Sequence, residues 1–187
     1  AIGTDDYAQD LEAVARCRPD AVLLPKVCRP EDLIELATRT TALGLPDTLG
    51  LWAMVETTEA LSRLDEIVAQ GLALRPRLQC LVVGTNDIAK ETGVFPGDQR
   101  RYLIPWLMGV VLTAKRHGVC VLDGVWNDFA DREGFDAEAR QSVKMAFDGK
   151  TLIHPSQVAP ANRVFSPGAG AVADARRVAE AFARPEN

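Results

Sequence analysis

One alternation constrains the fold of this chain more than any other feature. Short runs of aliphatic and β-branched residues, Ala21–Val27, Leu51–Val55, Cys80–Val83, Val119–Leu122 and Thr151–Ile153, are separated by longer stretches whose apolar residues recur every three or four positions. Each run is nearly continuous in apolar character, as a strand covered on both faces must be. Strands of that kind, alternating with helices, predict βαβ units on a parallel sheet and therefore an α/β protein.

The intervening stretches carry helix signals. Pro30-Glu31-Asp32 opens one helix, with proline in the first turn and two acids near the positive end of the helix dipole, and Leu33, Ile34, Leu36 and Ala37 give it a buried face. Ala60, Leu61, Leu64, Ile67 and Val68 predict a second helix that stops at Gly71. Leu103, Leu107, Val110, Val111 and Ala114 predict a longer one ending at Gly118; a fourth comes after Asp136, and a terminal amphipathic helix runs from Val172 through Val178 to Phe182.

At 187 residues and 47% apolar content the chain can bury one substantial core, so a single domain over 1–187 is expected. A parallel sheet of this kind is either an open doubly wound sheet or a closed eight-stranded barrel. No strand-to-helix turn carries the glycine fingerprint of a dinucleotide site, which favours the barrel. The net charge of -5, with no basic cluster beyond Arg100-Arg101, argues against a nucleic-acid partner. Apolar runs such as Trp106–Ala114 fall short of a membrane span, and a cytoplasmic protein without a membrane partner is expected. Cys17, Cys28, Cys80 and Cys120 form no C-x-x-C pair and read as buried free thiols. Two histidines, His117 and His154, are too few for a zinc site.

The functional signal stands at the carboxyl ends of the apolar runs: Lys26, Glu56, the segment Gly84-Thr85-Asn86-Asp87, Asp123 and His154. In a barrel the carboxyl ends of the strands converge on one rim, where such groups point toward a shared site. Glu56 and Asp87 close successive strands, roughly 5 Å apart at the backbone, so their carboxylates can meet on one ion. Two hard anionic ligands, with the other octahedral positions left to water and substrate, suit magnesium. The same pair could instead do general acid and base work without a metal, as in glycoside hydrolysis, although no aromatic sugar platform accompanies it. Gly84 lets the backbone approach a ligand, and the N–H groups after it can hold a carboxylate; the plainer reading is a glycine turn with Asn86 and Asp87 capping a helix. Lys26 reads as a structural partner for a rim carboxylate, Asp123 and His154 as groups that orient a neighbour, and Arg100-Arg101 as a solvated face.

Leu24-Pro25-Lys26, Val55-Glu56-Thr57, Gly84-Thr85-Asn86-Asp87, Asp123-Gly124-Val125 and above all Gly149-Lys150-Thr151-Leu152-Ile153-His154-Pro155-Ser156-Gln157, with Phe165-Ser166-Pro167 after it, resemble the citrate lyase beta subunit and malyl-CoA lyase family, in order, from about Asp10 to Pro167. The resemblance implies a (β/α)8 TIM barrel that makes or breaks a carbon–carbon bond between a short acyl-CoA and a 2-oxo acid such as glyoxylate, oxaloacetate or pyruvate. It implies magnesium, or manganese, held by Glu56 and Asp87 as the catalytic acids, with Gly84, Thr85, Asn86 and Asp87 binding the oxo acid's carboxylate. It also implies a homo-oligomer.

Two parts of the family pattern have no counterpart here. The first three strands, with a substrate-binding arginine, are expected in on the order of 70 residues before Ala1. A C-terminal aspartate, lent to a neighbouring subunit, is expected beyond Asn187. Two other functions share the fold: a metal-dependent aldolase acting on free hydroxy acids, and a non-catalytic subunit that binds the oxo acid or CoA, or forms a complex.

Overall fold

The computed structural model describes residues 1–183, so the last four residues of the expected single domain lie outside the described part. Five strands, β1 (Ala21–Leu24), β2 (Gly50–Val55), β3 (Leu78–Val83), β4 (Cys120–Asp123) and β5 (Gly149–Lys150), form one parallel sheet. Their spatial order is β1-β2-β3-β4-β5, the order of the chain. A doubly wound sheet reverses its strand order at a switch point, and no reversal occurs among these strands.

The α-helices are α1 (Tyr7–Cys17) before β1, then α2 (Pro30–Ala42), α3 (Thr58–Ser62), α4 (Leu64–Ala73), α5 (Thr85–Thr92), α6 (Ile104–His117) and α7 (Arg132–Lys144) between strands, with α8 (Val158–Phe165) and α9 (Ala169–Phe182) after β5. Of these, α2, α4 and α6 lie on one face of the sheet. Leu24, Leu51, Ala53, Val55, Leu81, Val83 and Val121 meet Leu33, Leu36, Ile67, Val68, Leu107 and Val110 in one apolar core. Truncating a fully buried member such as Leu36 or Leu81 to alanine would cost about 2–5 kcal/mol. Alternation puts Leu23, Trp52, Met54, Cys80, Val82, Cys120 and Leu122 on the other face, where Cys80 and Val82 of the central strand β3 are buried and the rest keep some exposure. No helix among the described residues is long and apolar enough to cross a membrane.

Several boundaries differ from the sequence reading. β1 ends at Leu24 rather than Val27 because Lys26 turns into the left-handed region at φ 54°. The last strand is Gly149–Lys150, one step before the expected Thr151–Ile153: Thr151 still donates its N–H to Asp123 O, but Ile153 and His154 are bound by the Gln157 side chain. The helix expected to stop at Gly71 divides at Arg63 and runs on to Ala73. Gly71 is a packing residue, since a Cβ there would stand 2.9 Å from both the Leu33 and Leu78 side chains. The helix expected after Asp136 starts at Arg132, where the Asp131 side chain accepts the Gly134 N–H. Of the four free cysteines only Cys80 is buried, on the central strand β3; its ladder partner Cys120 and Cys17 are exposed, against the expectation of buried thiols.

Candidate active site

Glu56 comes directly after β2, and its carboxylate is buried at 4% exposure. The Lys26 N–H donates to its Oε1 at 2.8 Å, a bond that the left-handed Lys26 backbone aims at it. Gly84 supplies the space on the other side: a Cβ at residue 84 would stand 2.7 Å from Glu56 Oε2 and 2.5 Å from Glu56 Cβ. Burial, the largest influence, pushes the Glu56 carboxyl above its ordinary range; the Lys26 N–H opposes this, and the nearby charge of Asp87 adds to it.

Asp87 stands in the first turn of α5, partly exposed, and the Lys26 ammonium lies 3.4 Å from its Oδ1. Lys26 thus touches both acids, one through its backbone and one through its side chain, in keeping with the structural role expected of it. The first intrahelical bond of α5 runs from the Ile88 N–H to Gly84 O at 3.1 Å, so the N–H groups of Thr85, Asn86 and Asp87 have no acceptor within the helix. The Asn86 carboxamide pairs with that of Asn127, in the loop after β4. A cleft of about 870 Å3 opens beside these two amides, walled by Trp126, Leu103 and Lys144.

The remaining strand-end groups do not join this cluster. Asp123 is fully buried on the helix side of the sheet. Its carboxylate accepts from Arg100 at 2.7 and 2.8 Å, from Lys150 at 3.1 Å and from the Ser142 hydroxyl at 2.5 Å. Burial alone would raise its carboxyl, but Lys150, Arg100 and Ser142 together hold it below the ordinary value. Arg100 is therefore no part of a solvated face. It is as buried as Glu56, because it answers a carboxylate that the sheet turns inward, while Arg101 stays exposed. His154 is exposed, stacked on Phe129 with ring centroids 4.6 Å apart, and its Nδ1 accepts the Ser156 N–H at 3.1 Å.

Sequence reasoning missed Asn127 and Glu91. Glu91 lies four residues after Asp87, so helical spacing alone would have placed both on one face of α5; Asn127 sits in a loop and gives no such signal.

Among the described residues no group of three or more His, Cys, Asp and Glu side chains is placed to hold a metal. The acid pair fits a magnesium ion that takes two protein ligands and completes its shell with water and substrate. The anionic, all-oxygen donor set of Glu56 and Asp87 suits such an ion, and Lys26, which touches both acids, keeps them near one another.

These features define a class: a parallel α/β protein whose sheet is wound in chain order and which gathers two acids and a helix N-terminus at the carboxyl ends of neighbouring strands. Residues 2–155 match the model of the HpcH/HpaI aldolase/citrate lyase family, and the chain belongs to that family. It is 44% identical over 177 residues to a (3S)-malyl-CoA thioesterase of Cereibacter sphaeroides, covering 95% of this chain and 58% of that protein. It is 33% identical to an L-malyl-CoA/beta-methylmalyl-CoA lyase of the same organism, covering 92% of this chain and 60% of the lyase. The chain therefore spans less than two thirds of the length of these relatives. Among solved structures it is similar to the Mycobacterium tuberculosis citrate lyase beta subunit complexed with oxaloacetate and magnesium, at TM-score 0.72 and 30% identity over 89% of this chain and 70% of that one. A second M. tuberculosis structure, containing magnesium, acetoacetate and coenzyme A, is similar at TM-score 0.75 and 32% identity, covering 97% of this chain and 64% of that one.

Proposed function

We propose that this chain is the metal-binding part of a magnesium-dependent enzyme acting on a CoA ester, and that it makes or breaks a carbon–carbon bond between a short acyl-CoA and a 2-oxo acid. The observation that carries the reading is the buried Glu56 carboxylate beside Asp87 at neighbouring strand ends, with Gly84 letting the Glu56 side chain pack against its backbone. The sequential parallel sheet, with α2, α4 and α6 on one side, supports an arc of a (β/α)8 barrel whose carboxyl rim holds the site.

In this reading Glu56 and Asp87 hold magnesium, or manganese in its place, and Lys26 keeps the Glu56 carboxylate oriented through its N–H. The N–H groups of Thr85, Asn86 and Asp87, at the positive end of α5, bind the carboxylate of glyoxylate, oxaloacetate or pyruvate. When bound, the ion supplies Lewis acidity at the oxo acid's carbonyl. The chain's own part is to fix that carboxylate at the α5 N-terminus, so that the carbonyl faces the acid pair.

A second reading, hydrolysis of a malyl-CoA thioester, is favoured by the higher identity to the thioesterase, 44% against 33% for the lyase. One assay separates the two. The full-length gene product is given (3S)-malyl-CoA with magnesium, and glyoxylate and free CoA thiol are followed together. Lyase chemistry releases glyoxylate and acetyl-CoA with no thiol; hydrolysis releases malate and an equivalent of thiol. If neither product forms while magnesium and oxo acid still bind, the chain belongs to a binding subunit.

A further inference from the structure

We propose that Glu91 is a positioning residue that sets the separation of Glu56 and Asp87; the proposal rests on the reading of those acids as magnesium ligands. The ladder between β2 and β3 ends where the Gly84 N–H donates to Val55 O at 3.0 Å. Beyond that point the two segments carrying the acids leave the sheet, one into α3 and the other into α5. Each helix is short and buries a single side chain: Ala60 among the five residues of α3, and Ile88 among the eight of α5. Asp87 is the neighbour of Ile88, so the placing of the second acid depends on contacts that α5 makes outside the core, with Asn127, Lys26 and Thr58.

Among these contacts, that of Glu91 joins the two acid-bearing segments directly. Its Oε1 accepts the Thr58 hydroxyl at 2.5 Å and the Thr58 N–H at 3.1 Å. Thr58 lies two residues after Glu56, and Glu91 lies one helical turn after Asp87 on the same face of α5. One carboxylate oxygen therefore ties the segment bearing the first acid to the helix bearing the second. The Thr58 hydroxyl, then its N–H, hold the Glu91 carboxyl below its ordinary value, as two donors on an ionised acceptor should. Groups that orient metal ligands from outside the coordination shell commonly change metal affinity by tenfold or more when removed.

The test is magnesium binding by calorimetry on the full gene product, with the unfolding midpoint of each variant measured alongside. Glu91→Ala should weaken magnesium binding by roughly tenfold. Glu91→Gln, whose amide oxygen can accept both Thr58 bonds, should restore most of it. Thr58→Val, which keeps the N–H and loses the hydroxyl, should fall between, and the Thr58→Val/Glu91→Ala pair should be no weaker than Glu91→Ala alone. Wild-type affinity in Glu91→Ala overturns the proposal, and so does an equal loss in Glu91→Gln, which would assign the effect to charge rather than position. A loss of affinity that tracks a fall in the unfolding midpoint also overturns it. If the unaltered protein takes up no magnesium, the acid-pair reading fails and this proposal falls with it. Uptake by the unaltered protein, with Glu91→Ala unchanged, sinks this proposal alone.

Discussion

The carboxamides of Asn86 and Asn127 are hydrogen-bonded to each other in both directions, at 3.0 and 2.8 Å, across the 41 positions that separate them in the chain. The pair joins the N-terminus of α5 to the loop after β4, so the peptide groups proposed to hold the oxo acid are fixed from the side opposite Glu91. In Asn127→Ala the Asn86 side chain loses its partner, and oxaloacetate affinity in the presence of magnesium should fall several-fold while magnesium affinity changes little. A double-mutant cycle with Asn86→Ala should return a coupling of about 0.5–3 kcal/mol. Strictly additive effects would mean that the contact does not matter in solution.

Glu56 gives a pH signature. Its carboxyl is raised in the folded protein, chiefly by burial, so the folded state holds a proton more tightly than the unfolded chain. Stability from this group is fully present below the unfolded value and is lost as pH rises through the folded one. In the absence of metal, Glu56→Gln should therefore unfold at a higher temperature than the unaltered protein at neutral pH. The gain should vanish as the pH is lowered through the carboxylate range. Calorimetric melts across that range check both the sign and the window.

Gly84 tests the shape of the site. An added Cβ would overlap Glu56 Cβ and Oε2, so the acid must move before alanine fits. Gly84→Ala should lower magnesium affinity by on the order of tenfold, the equivalent of about 1.4 kcal/mol. Titration calorimetry showing unchanged affinity in a folded variant would remove Glu56 from the ligand set.

Arg100 tests stability away from the acid pair. Asp98, Gln99 and Arg100 all sit in the left-handed region, at φ 51°, 55° and 50°, a conformation that costs non-glycine residues roughly 1–2 kcal/mol each. The buried Arg100 guanidinium holds the turn in place: Nη1 donates to both oxygens of Asp123, Nη2 to the Ser142 hydroxyl and Nε to Gln141 at 2.8 Å. Arg100→Ala leaves a buried carboxylate short of a partner and should destabilise by about 3–5 kcal/mol. Arg100→Lys should not recover it, because one ammonium at the end of a flexible stem cannot reach Asp123, Ser142 and Gln141 as the planar guanidinium does. Denaturant unfolding decides both.

Self-association is expected from the family resemblance and from α9, which has no buried residue and leaves Val178 and Phe182 exposed. Light scattering on the full gene product should show an oligomer at micromolar concentration. A monomer would count against the subunit arrangement that the resemblance implies.

The sequence by itself determined the βα rhythm, the parallel sheet, most core-facing positions of α2, α4 and α6, with Ile34 of α2 exposed against expectation, and the placing of Glu56 and Asp87 at successive strand ends. These are local properties, written in apolar period and in the residue that stops each run. Tertiary structure decided which strand-end groups share a site. Asp123 ends its strand as Glu56 does, but it faces the helix side of the sheet, where Arg100 and Lys150 hold it. The Thr58–Glu91 and Asn86–Asn127 contacts link residues 33 and 41 positions apart. No periodicity encodes them, because whether two exposed polar side chains meet depends on how the core orients the helices and loops that carry them.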